Sequence, residues 1–351
     1  MAMHFYQHNP DAMAEGKFFI TSAMEFLQDE LISCQFLSAM TSGGASHQHI
    51  LLQGKKNNYV MKIFPKQPFA ITLAITLQKK LYNFFHAQGV MTPPAIYGDE
   101  QCLVLPYFFG ITNGWDITKQ KYNDKALAKS LAIELAKIHD SKKPFRMMFP
   151  NICYQENFLT WRHKKMDMIK KLLRSAEPMA SAELDIAHRA IEKLFISIPQ
   201  NLSMDFVPCH GDFRTGNFLL EPKQQGHKLV AVLDWEMVGF GLPEEDIGWL
   251  SAICWLYHQP EFGCGGFAQL DIFLEEYISA RQTMQFRNAE SPISNMMVNH
   301  SWFQSLAMIR WGLILSKQWH RKQSGLDILP ELPQESPDLI TIFHQAIKLL
   351  S

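Results

Sequence analysis

The sequence predicts an α+β fold with two lobes, a small β-rich N-terminal lobe over residues 1–106 and a large, mainly helical C-terminal lobe over residues 107–351. Three observations support this prediction. Short strand-like runs separated by turn residues dominate the first hundred residues. Apolar residues at helical spacing dominate from about residue 124 onward. Within that helical part, residues 206–237 again look like short strands around turns.

The N-terminal lobe is predicted to contain strands followed by one helix. The runs CQFLSAM (34–40) and HQHILLQG (47–54) flank a Gly-Gly turn, and NNYVMKIF (57–64) follows the turn QGKKNN, which predicts a hairpin. The segment 68–89 has a Pro near its start, a Gly at its end and Leu and Phe residues spaced along one helix face. The run QCLVLPYFFG (101–110) predicts a short buried strand that continues into an aromatic connection.

The C-terminal lobe is predicted to be built mainly of helices. Residues 124–140 carry a stripe of Leu and Ile at helical spacing, and Asp124 is a favoured N-cap residue. Two further helices are expected at about 155–176 and 181–198. The apolar run 249–257 is too short to span a membrane and is interpreted as a buried helix.

Composition and charge exclude several classes of function. Apolar residues make up 47% of the 351 residues, and 33 Lys and Arg against 34 Asp and Glu give a net charge of −1. We therefore expect neither nucleic-acid binding nor attachment to an anionic membrane. The six cysteines contain no CxxC pair and the N-terminus has no signal-peptide pattern, so a cytoplasmic protein with reduced thiols is expected. Cys209 beside His210 could be half of a metal site, but no second pair completes it.

The stretch CHGDFRTGNFLL, residues 209–220, has the spacing of a phosphoryl-transfer loop. Such a reaction needs a carboxylate that positions the acceptor, oxygen ligands for Mg²⁺ and a cation near the phosphates of the nucleotide. In the kinase catalytic loop the Asp precedes a metal-binding Asn by five residues, as Asp212 precedes Asn217 here. Arg214 stands where many such loops have a Lys that faces the γ-phosphate. His210 is expected to support the loop by a hydrogen bond rather than to transfer a proton.

A second carboxylate is predicted at the end of a strand. The apolar run of KLVAVLDWE has Asp234 at its C-terminal tip, with Glu236 two residues later. Two strand-like runs about a Pro and Gly turn separate Asn217 from Asp234, and a hairpin would bring these two side chains together. Their oxygen atoms would suit Mg²⁺. An isolated Asp or Asn in a turn is usually a cap or an Asx-turn, so the prediction depends on the joint pattern.

These motifs resemble a known family. HGDFRTGN, VAVLDWE and GLPEEDIGWL are similar to motifs of the aminoglycoside phosphotransferase superfamily of protein-kinase-like small-molecule kinases. The similarity is strongest to the branch that includes kinase-like domains fused to some acyl-CoA dehydrogenases, which RWGLILSKQWHRKQSG (310–325) also resembles. It extends over about residues 30–325. The resemblance implies a bilobal protein-kinase-like fold, ATP or GTP, Mg²⁺, and phosphate transfer to a hydroxyl of a small molecule.

The resemblance also implies roles for individual residues. Asp212 would be the catalytic base, Asn217 and Asp234 would hold the metal, and Lys62 would neutralise the α- and β-phosphates. Asp246 would anchor the catalytic loop, although a helix N-terminal charge explains it nearly as well. The glycine-rich turn and the hinge that would bind the nucleotide comprise Ser42, Gly43, Gly44, Ser46, Pro106, Tyr107 and Phe108.

One departure from the family pattern affects the predicted activity. The helix glutamate that should pair with Lys62 is expected about eleven residues before Gly89, where this chain has Gln78. The ion pair is therefore missing or supplied by another residue. His47 and Leu242 also replace an Asn and an Asp of the family, without touching the core chemistry. A catalytically weak or inactive kinase-like nucleotide-binding or scaffold protein is the alternative prediction.

The sequence does not identify the acceptor, the small molecule that would receive the phosphate. Tryptophans after residue 250 could form a cage for a quaternary ammonium group, but aromatic residues at helical spacing are usually core. Acidic pairs in the late helices could bind a polycation, and Arg310 could bind an anion. No residue pattern chooses among these acceptors or indicates an oligomeric state.

Overall fold

The computed structural model describes residues 10–37, 48–64, 72–154, 156–176, 179–202, 204–285, 298–324 and 337–351. An antiparallel sheet forms its N-terminal part, and the larger C-terminal part is mainly helical. The predicted α+β class, with a small β-rich part and a large helical part, is confirmed.

Five antiparallel strands form the N-terminal sheet: β1 (Leu31–Leu37), β2 (Gln48–Gly54), β3 (Asn58–Ile63), β4 (Tyr97–Gly98) and β5 (Cys102–Pro106). Their order across the sheet is β1-β2-β3-β5-β4. Strand β2 pairs antiparallel with β3, which confirms the predicted hairpin, and β1 pairs antiparallel with β2. Strand β3 is the central strand of this order, with β2 on one side and β5 on the other. The Gly-Gly turn between β1 and β2 lies outside the described residues.

Two helices cover opposite faces of this sheet. Helix α1 (Pro10–Leu27) packs against the face that carries Met61. Helix α2 (Ile75–Ala87) packs with Leu103 in the core that continues into the helical part. Because side chains alternate along a strand, Lys62 points away from Met61, toward the face of α2 and the helical part. The sheet thus delivers one buried lysine to the junction of the two parts.

The helical part is built from α3 (Gly114–Thr118), α4 (Lys125–Asp140), α5 (Lys142–Met148), α6 (Phe158–Ser175), α7 (Ser181–Ile196), α8 (Pro243–Leu250), α9 (Leu270–Gln285), α10 (His300–Gln323) and α11 (Leu339–Leu349). Helix α10 is buried along most of its length and packs against α8 and α11, while α4 packs against α9. These contacts enclose one large apolar core with many aromatic side chains.

Two short antiparallel pairs interrupt the helices. Strand β7 (Phe218–Pro222) pairs with β8 (His227–Val232), which confirms the hairpin predicted within residues 206–237. Strand β6 (Val207–Cys209) pairs with β9 (Gly239–Gly241), a partner that no local pattern indicates. The candidate site lies between these two pairs, on the loop that follows β6 and at the end of β8.

Residues 249–257 do not form the predicted buried helix. Helix α8 ends at Leu250, and a 3₁₀ turn follows at Ile253–Trp255. Tyr257 has a φ of +48°, a left-handed conformation that a right-handed helix cannot continue. The run is apolar because Trp255 packs against tryptophans of α8 and α10, and this burial does not require helical structure.

The other predicted helices are found close to their expected positions. Helix α4 begins directly after its N-cap Asp124, whose side chain accepts a hydrogen bond from the Leu127 amide. Helix α2 begins at Ile75 rather than near residue 68, and residues 65–71 lie outside the described part. Helix α1 was not predicted. Among the helices that the structure describes, none combines the length and the apolar character needed to cross a bilayer.

Candidate active site

The loop after β6 depends on one glycine. Gly211 has a φ of +80°, and a Cβ atom at this position would lie 2.0 Å from the backbone oxygen of Met237. Only glycine fits both the conformation and this close approach. The backbone therefore turns sharply between Cys209 and Asp212, and it directs the following polar residues toward the junction with the sheet.

Asp246 on α8 binds the backbone of this loop with both carboxylate oxygens. The amide of His210 donates to Oδ2 at 2.7 Å, and the amide of Gly211 donates to Oδ1 at 2.8 Å. His139 Nε2 lies 3.1 Å from Oδ2, and its Nδ1 lies 2.7 Å from the Tyr277 hydroxyl. Burial alone would raise the pKa of Asp246, but these hydrogen bonds hold it below its ordinary value. Asp246 thus makes the contacts expected of an anchor for the loop.

A buried group formed by His139, Cys209 and Asp246 has its potential ligand atoms within 4.8 Å of one another. Its chemistry is that of an anchor and not of a metal centre. Both oxygens of Asp246 already accept hydrogen bonds from the loop amides. Burial raises the pKa of the Cys209 thiol well above its ordinary value, and its Sγ lies 3.5 Å from the Leu242 carbonyl oxygen. The thiol therefore stays protonated, which disfavours metal binding.

Asp212 is held by three side chains. Trp249 Nε1 donates to Oδ1 at 2.7 Å, and Arg214 Nε donates to the same oxygen at 3.0 Å. Asn217 Nδ2 donates to Oδ2 at 2.6 Å and to the Asp212 carbonyl at 2.9 Å. Asp212 is buried, with 7% of the residue exposed, and these contacts fix the direction of its carboxylate. His210 supports the same turn, because its Nδ1 accepts the Asp212 amide at 3.2 Å.

The β7–β8 hairpin brings Asn217 next to the tip that carries Asp234. Phe218 pairs with Val232, and the Leu233 amide donates to the Asn217 carbonyl at 2.8 Å. Asp234 has a φ of +70°, a conformation that is uncommon outside glycine and is concentrated at functional sites. Its amide donates to the Tyr82 hydroxyl of α2 at 2.9 Å, which holds this strained tip against the sheet part.

The donor set fits Mg²⁺. Asn217 directs its Nδ2 to Asp212, which leaves its Oδ1 as the side-chain acceptor, and Asp234 contributes a carboxylate. An amide oxygen and a carboxylate are ligands that Mg²⁺ accepts while it keeps water and phosphate oxygens in its remaining positions. These residues could therefore hold the metal that the sequence pattern indicates.

Lys62 receives its carboxylate partners from the helical part. Its Nζ lies 2.6 Å from Asp234 Oδ1 and 3.8 Å from Glu236 Oε2. Burial opposes the charged form of Lys62, but the two carboxylates outweigh it and raise the pKa of the ammonium group. Lys62 in turn lowers the pKa of Asp234 against the effect of burial. The pair is thus charged on both sides and joins the sheet to the strand tip.

Gln78 does not take the place of the missing helix glutamate. Its Nε2 donates to the Leu73 carbonyl at 2.8 Å, and the Leu73 amide donates to the Glu236 carbonyl at 2.8 Å. Gln78 therefore supports the backbone segment that leads into α2, while Asp234 and Glu236 pair with Lys62. The ion pair that the sequence left in doubt exists, but with different partners.

Three residues near the site were not identified from sequence as part of it. His49 faces Lys62 across β2 and β3, and burial together with Lys62 lowers the pKa of His49 to about 4, so it is neutral at pH 7. Tyr82 and Trp249 contact Asp234 and Asp212. Only the position of Trp249 in GLPEEDIGWL, a motif quoted for the family, could have signalled a role.

The predicted nucleotide-binding segments are described only in part. Ser42, Gly43, Gly44 and Ser46 lie outside the described residues. Pro106 ends β5 and has no N–H, and the Tyr107 amide donates to the Asn58 carbonyl at 3.0 Å. Among the described contacts, Phe108 is therefore the predicted hinge residue whose amide makes no hydrogen bond, and its side chain is exposed.

The comparison with known proteins decides the family. Residues 41–284, more than half of the chain, match the model of the phosphotransferase enzyme family, APH. The chain belongs to this family. Its reaction class is accordingly phosphoryl transfer to small molecules, and the resemblance recognised in its motifs is confirmed. No curated protein sequence matches the chain.

Solved structures share the fold of this family member at low sequence identity. A choline kinase from Streptococcus pneumoniae is 18% identical, with a TM-score of 0.59 over 96% of this chain and 99% of its own. An ethanolamine kinase from Plasmodium vivax is 13% identical, with a TM-score of 0.56 over 92% of this chain and 83% of its own. A spectinomycin phosphotransferase in complex with ADP and spectinomycin is 12% identical, with a TM-score of 0.54 over 94% of this chain and 97% of its own.

Proposed function

We propose that this protein is a Mg²⁺-dependent kinase that transfers the γ-phosphate of ATP or GTP to a hydroxyl group of a small molecule. One observation carries the proposal. The loop that holds Asp212 and the hairpin tip that holds Asp234 converge with Asn217 and with Lys62 of the sheet, although these residues are separated by up to 172 positions. This is the set of groups that phosphoryl transfer requires.

Asp212 is proposed to orient the acceptor hydroxyl and to accept its proton. Arg214 and Trp249 both donate to Oδ1, and Asn217 donates to Oδ2, so the carboxylate is oriented before any acceptor binds. Such preorganisation lowers the reorganisation that accompanies the reaction. Burial opposes the charge of Arg214, but Asp212 raises the pKa of the guanidinium, which therefore remains a cation that can neutralise phosphate charge.

Lys62 is proposed to bind the α- and β-phosphates, while Asn217 and Asp234 hold Mg²⁺. The metal, when bound, would supply charge stabilisation on the phosphate oxygens. Asp234 and Glu236 keep the ammonium group of Lys62 charged and hold it at the end of β8. His210 and Asp246 keep the loop in place.

The alternative, a kinase-like nucleotide-binding or scaffold protein with little catalysis, was motivated by Gln78. The pairing of Lys62 with Asp234 and Glu236 supports the active kinase over this alternative, because Lys62 is charged and anchored without a helix glutamate. We also infer a cytoplasmic location, because all six cysteines are free thiols, as in reducing compartments.

The test separates nucleotide binding from turnover. Calorimetric titration with ATP and GTP should show Mg²⁺-dependent binding that Asp234→Ala abolishes. Asp212→Asn should keep that binding and lower turnover by about 10²- to 10⁴-fold, because it removes the proton acceptor. The exposed Asp185→Asn on α7 serves as the control and should change neither quantity.

Two outcomes would contradict the proposal. The absence of Mg²⁺-dependent nucleotide binding would remove the kinase reaction altogether. Nucleotide binding without phosphorylation of any alcohol, amino alcohol or hydroxy acid, together with an Asp212→Asn variant indistinguishable from the parent, would favour the scaffold.

A further inference from the structure

Two buried guanidinium groups lie beside Asp212, each stacked on an indole. The Cζ of Arg214 is 4.2 Å from the ring centroid of Trp255, and the Cζ of Arg310 is 4.4 Å from that of Trp249. The two tryptophans lie 5.6 Å apart, and Trp249 itself donates to Asp212. Arginine, indole and carboxylate thus form one continuous cluster around the proposed base.

Arg310 differs from the other buried arginines of this region in its charge balance. Arg214 pairs with Asp212 at 3.0 Å, and Arg281 pairs with Asp205 at 2.9 Å. Arg310 is 7% exposed and donates from Nη2 to the Gly211 carbonyl at 3.0 Å, but within the described ranges it forms no ion pair. Its Nε, like that of Arg281, is buried without an acceptor among the residues that the structure describes. A buried cation in this condition is costly unless an anion completes its surroundings.

The carboxylates nearest to Arg310 are committed to other groups. Glu245 accepts from Trp161 Nε1 at 2.9 Å and contacts Lys165. Asp246 accepts the two loop amides, and Asp212 accepts Arg214. Burial lowers the pKa of Arg310 below its ordinary value despite these three carboxylates. Among the described residues, none of the three forms an ion pair with Arg310, although each of them raises its pKa.

The unpartnered polar atoms of this cluster are donors. Arg310 Nε and Trp255 Nε1 are both buried N–H groups that find no acceptor in the described part of the chain. A carboxylate or phosphate offers several acceptor lone pairs to such donors. A quaternary ammonium group or a protonated polyamine offers no acceptor lone pair to them.

We propose that the acceptor of this kinase is a hydroxylated anion, a small molecule that carries a carboxylate or phosphate group, and that Arg310 binds this group while the hydroxyl faces Asp212. This inference rests on the proposed function. It places the chain apart from the choline and ethanolamine kinases whose fold it shares, since their named substrates are a cation and an amino alcohol.

The test compares acceptors that differ only in charge. The probes are 5-hydroxypentanoate, 5-amino-1-pentanol and 1,5-pentanediol, with the homologous series of three to six carbons and the monophosphates of the diols. With saturating ATP and Mg²⁺, the highest kcat/KM among the anions should exceed that of the matched amino alcohol at least tenfold. Arg310→Gln should lower kcat/KM for the anion by about thirtyfold or more, with nucleotide Kd within twofold of the parent. Arg310→Lys should recover part of the loss.

Arg281→Gln is the matched control, because it removes a buried, tyrosine-contacting arginine that already has a carboxylate partner. It should lower stability and leave the order of acceptors unchanged. A preference for the amino alcohol or the diol would overturn the inference. So would an equal loss for all three acceptors in Arg310→Gln, which would indicate that Arg310 only holds the Gly211 carbonyl.

Binding is measured separately from turnover. Thermal shifts with the same anions, with and without nucleotide, should be larger for the parent than for Arg310→Gln. If no anion of the series gives such a difference, the inference is wrong even when nucleotide binds normally. If nucleotide fails to bind but Arg310-dependent anion binding persists, the proposed kinase reaction fails and the anion site remains.

Discussion

Replacing Asp246 by Asn tests whether one buried carboxylate holds the catalytic loop in place. Asp246 is 1% exposed, and each of its oxygens accepts one loop amide, from His210 and Gly211. An Asn side chain has one oxygen and one NH₂ group. Whichever way it is turned, one loop amide faces another donor at a distance of less than 3 Å, so the loop must shift or leave that amide unpaired.

The magnitude follows from these contacts. The loss of one hydrogen bond to a charged group costs about 1.5–3 kcal/mol, and the second bond becomes a weaker neutral one. The free energy of unfolding should therefore fall by about 3 kcal/mol. For a chain of 351 residues, with an unfolding entropy of about 2.1 cal/mol/K per residue, this lowers Tm by about 4 °C. A displacement of the loop by about 1 Å would lower kcat about a hundredfold.

The assay combines differential scanning calorimetry with steady-state turnover. Asp338→Asn makes the same chemical change at the exposed N-cap of α11, where Asn caps as well as Asp, and should leave both Tm and kcat unchanged. The reasoning would be refuted by an Asp246→Asn variant that melts and turns over like the parent. A fall in Tm with no change in kcat would refute the anchoring role alone.

Two further predictions concern a backbone contact and a buried histidine. Gly211→Ala should lower stability by about 2 kcal/mol or more and abolish most turnover, because its Cβ would meet the Met237 oxygen. Gly89 also has a positive φ, but no atom of the described residues lies within 4 Å of the position of its Cβ, so Gly89→Ala should cost only about 1–2 kcal/mol and retain turnover. Equal effects of the two substitutions would contradict this explanation. Burial lowers the pKa of His300 to about 4 from 6.5, so the unfolded chain binds more protons between these values and stability should fall as the pH drops through that window, by about 3 kcal/mol in total. The free energy of unfolding is measured by chemical denaturation between pH 7 and pH 4. His300→Gln should make its decline smaller, whereas His188→Gln, at an exposed position, should not. A decline that is unchanged in His300→Gln would show that His300 is not its cause.

The sequence indicated those parts of the site that lie close together along the chain. The five-residue interval between Asp212 and Asn217 is a property of one loop, and the two apolar runs before Asp234 indicate a hairpin that returns to it. Turn residues and strand periodicity depend on residues only a few positions apart, so they can be recognised in the sequence without knowledge of tertiary contacts. The same locality explains why helix α4 and its N-cap Asp124 were predicted close to their observed bounds.

Contacts between segments that are distant along the chain could not be predicted from the sequence. Nothing near Gln78 indicates that the partners of Lys62 would be Asp234 and Glu236, because the pairing joins the sheet to a strand tip 172 residues later. The helix predicted for residues 249–257 is wrong for a related reason. Its apolar residues respond to burial among tryptophans, and burial alone does not distinguish a helix from a 3₁₀ turn.

By itself the sequence determined the fold class, the family and the order of the groups that act on phosphate, because each of these is carried by short-range spacing. The tertiary structure alone decided which charges are balanced. It paired Lys62 with two carboxylates and Asp246 with the loop amides, and it buried Arg310 where none of the described residues forms an ion pair with it. The physical reason is that charge compensation depends on distances across packed elements, which no local pattern of residues sets.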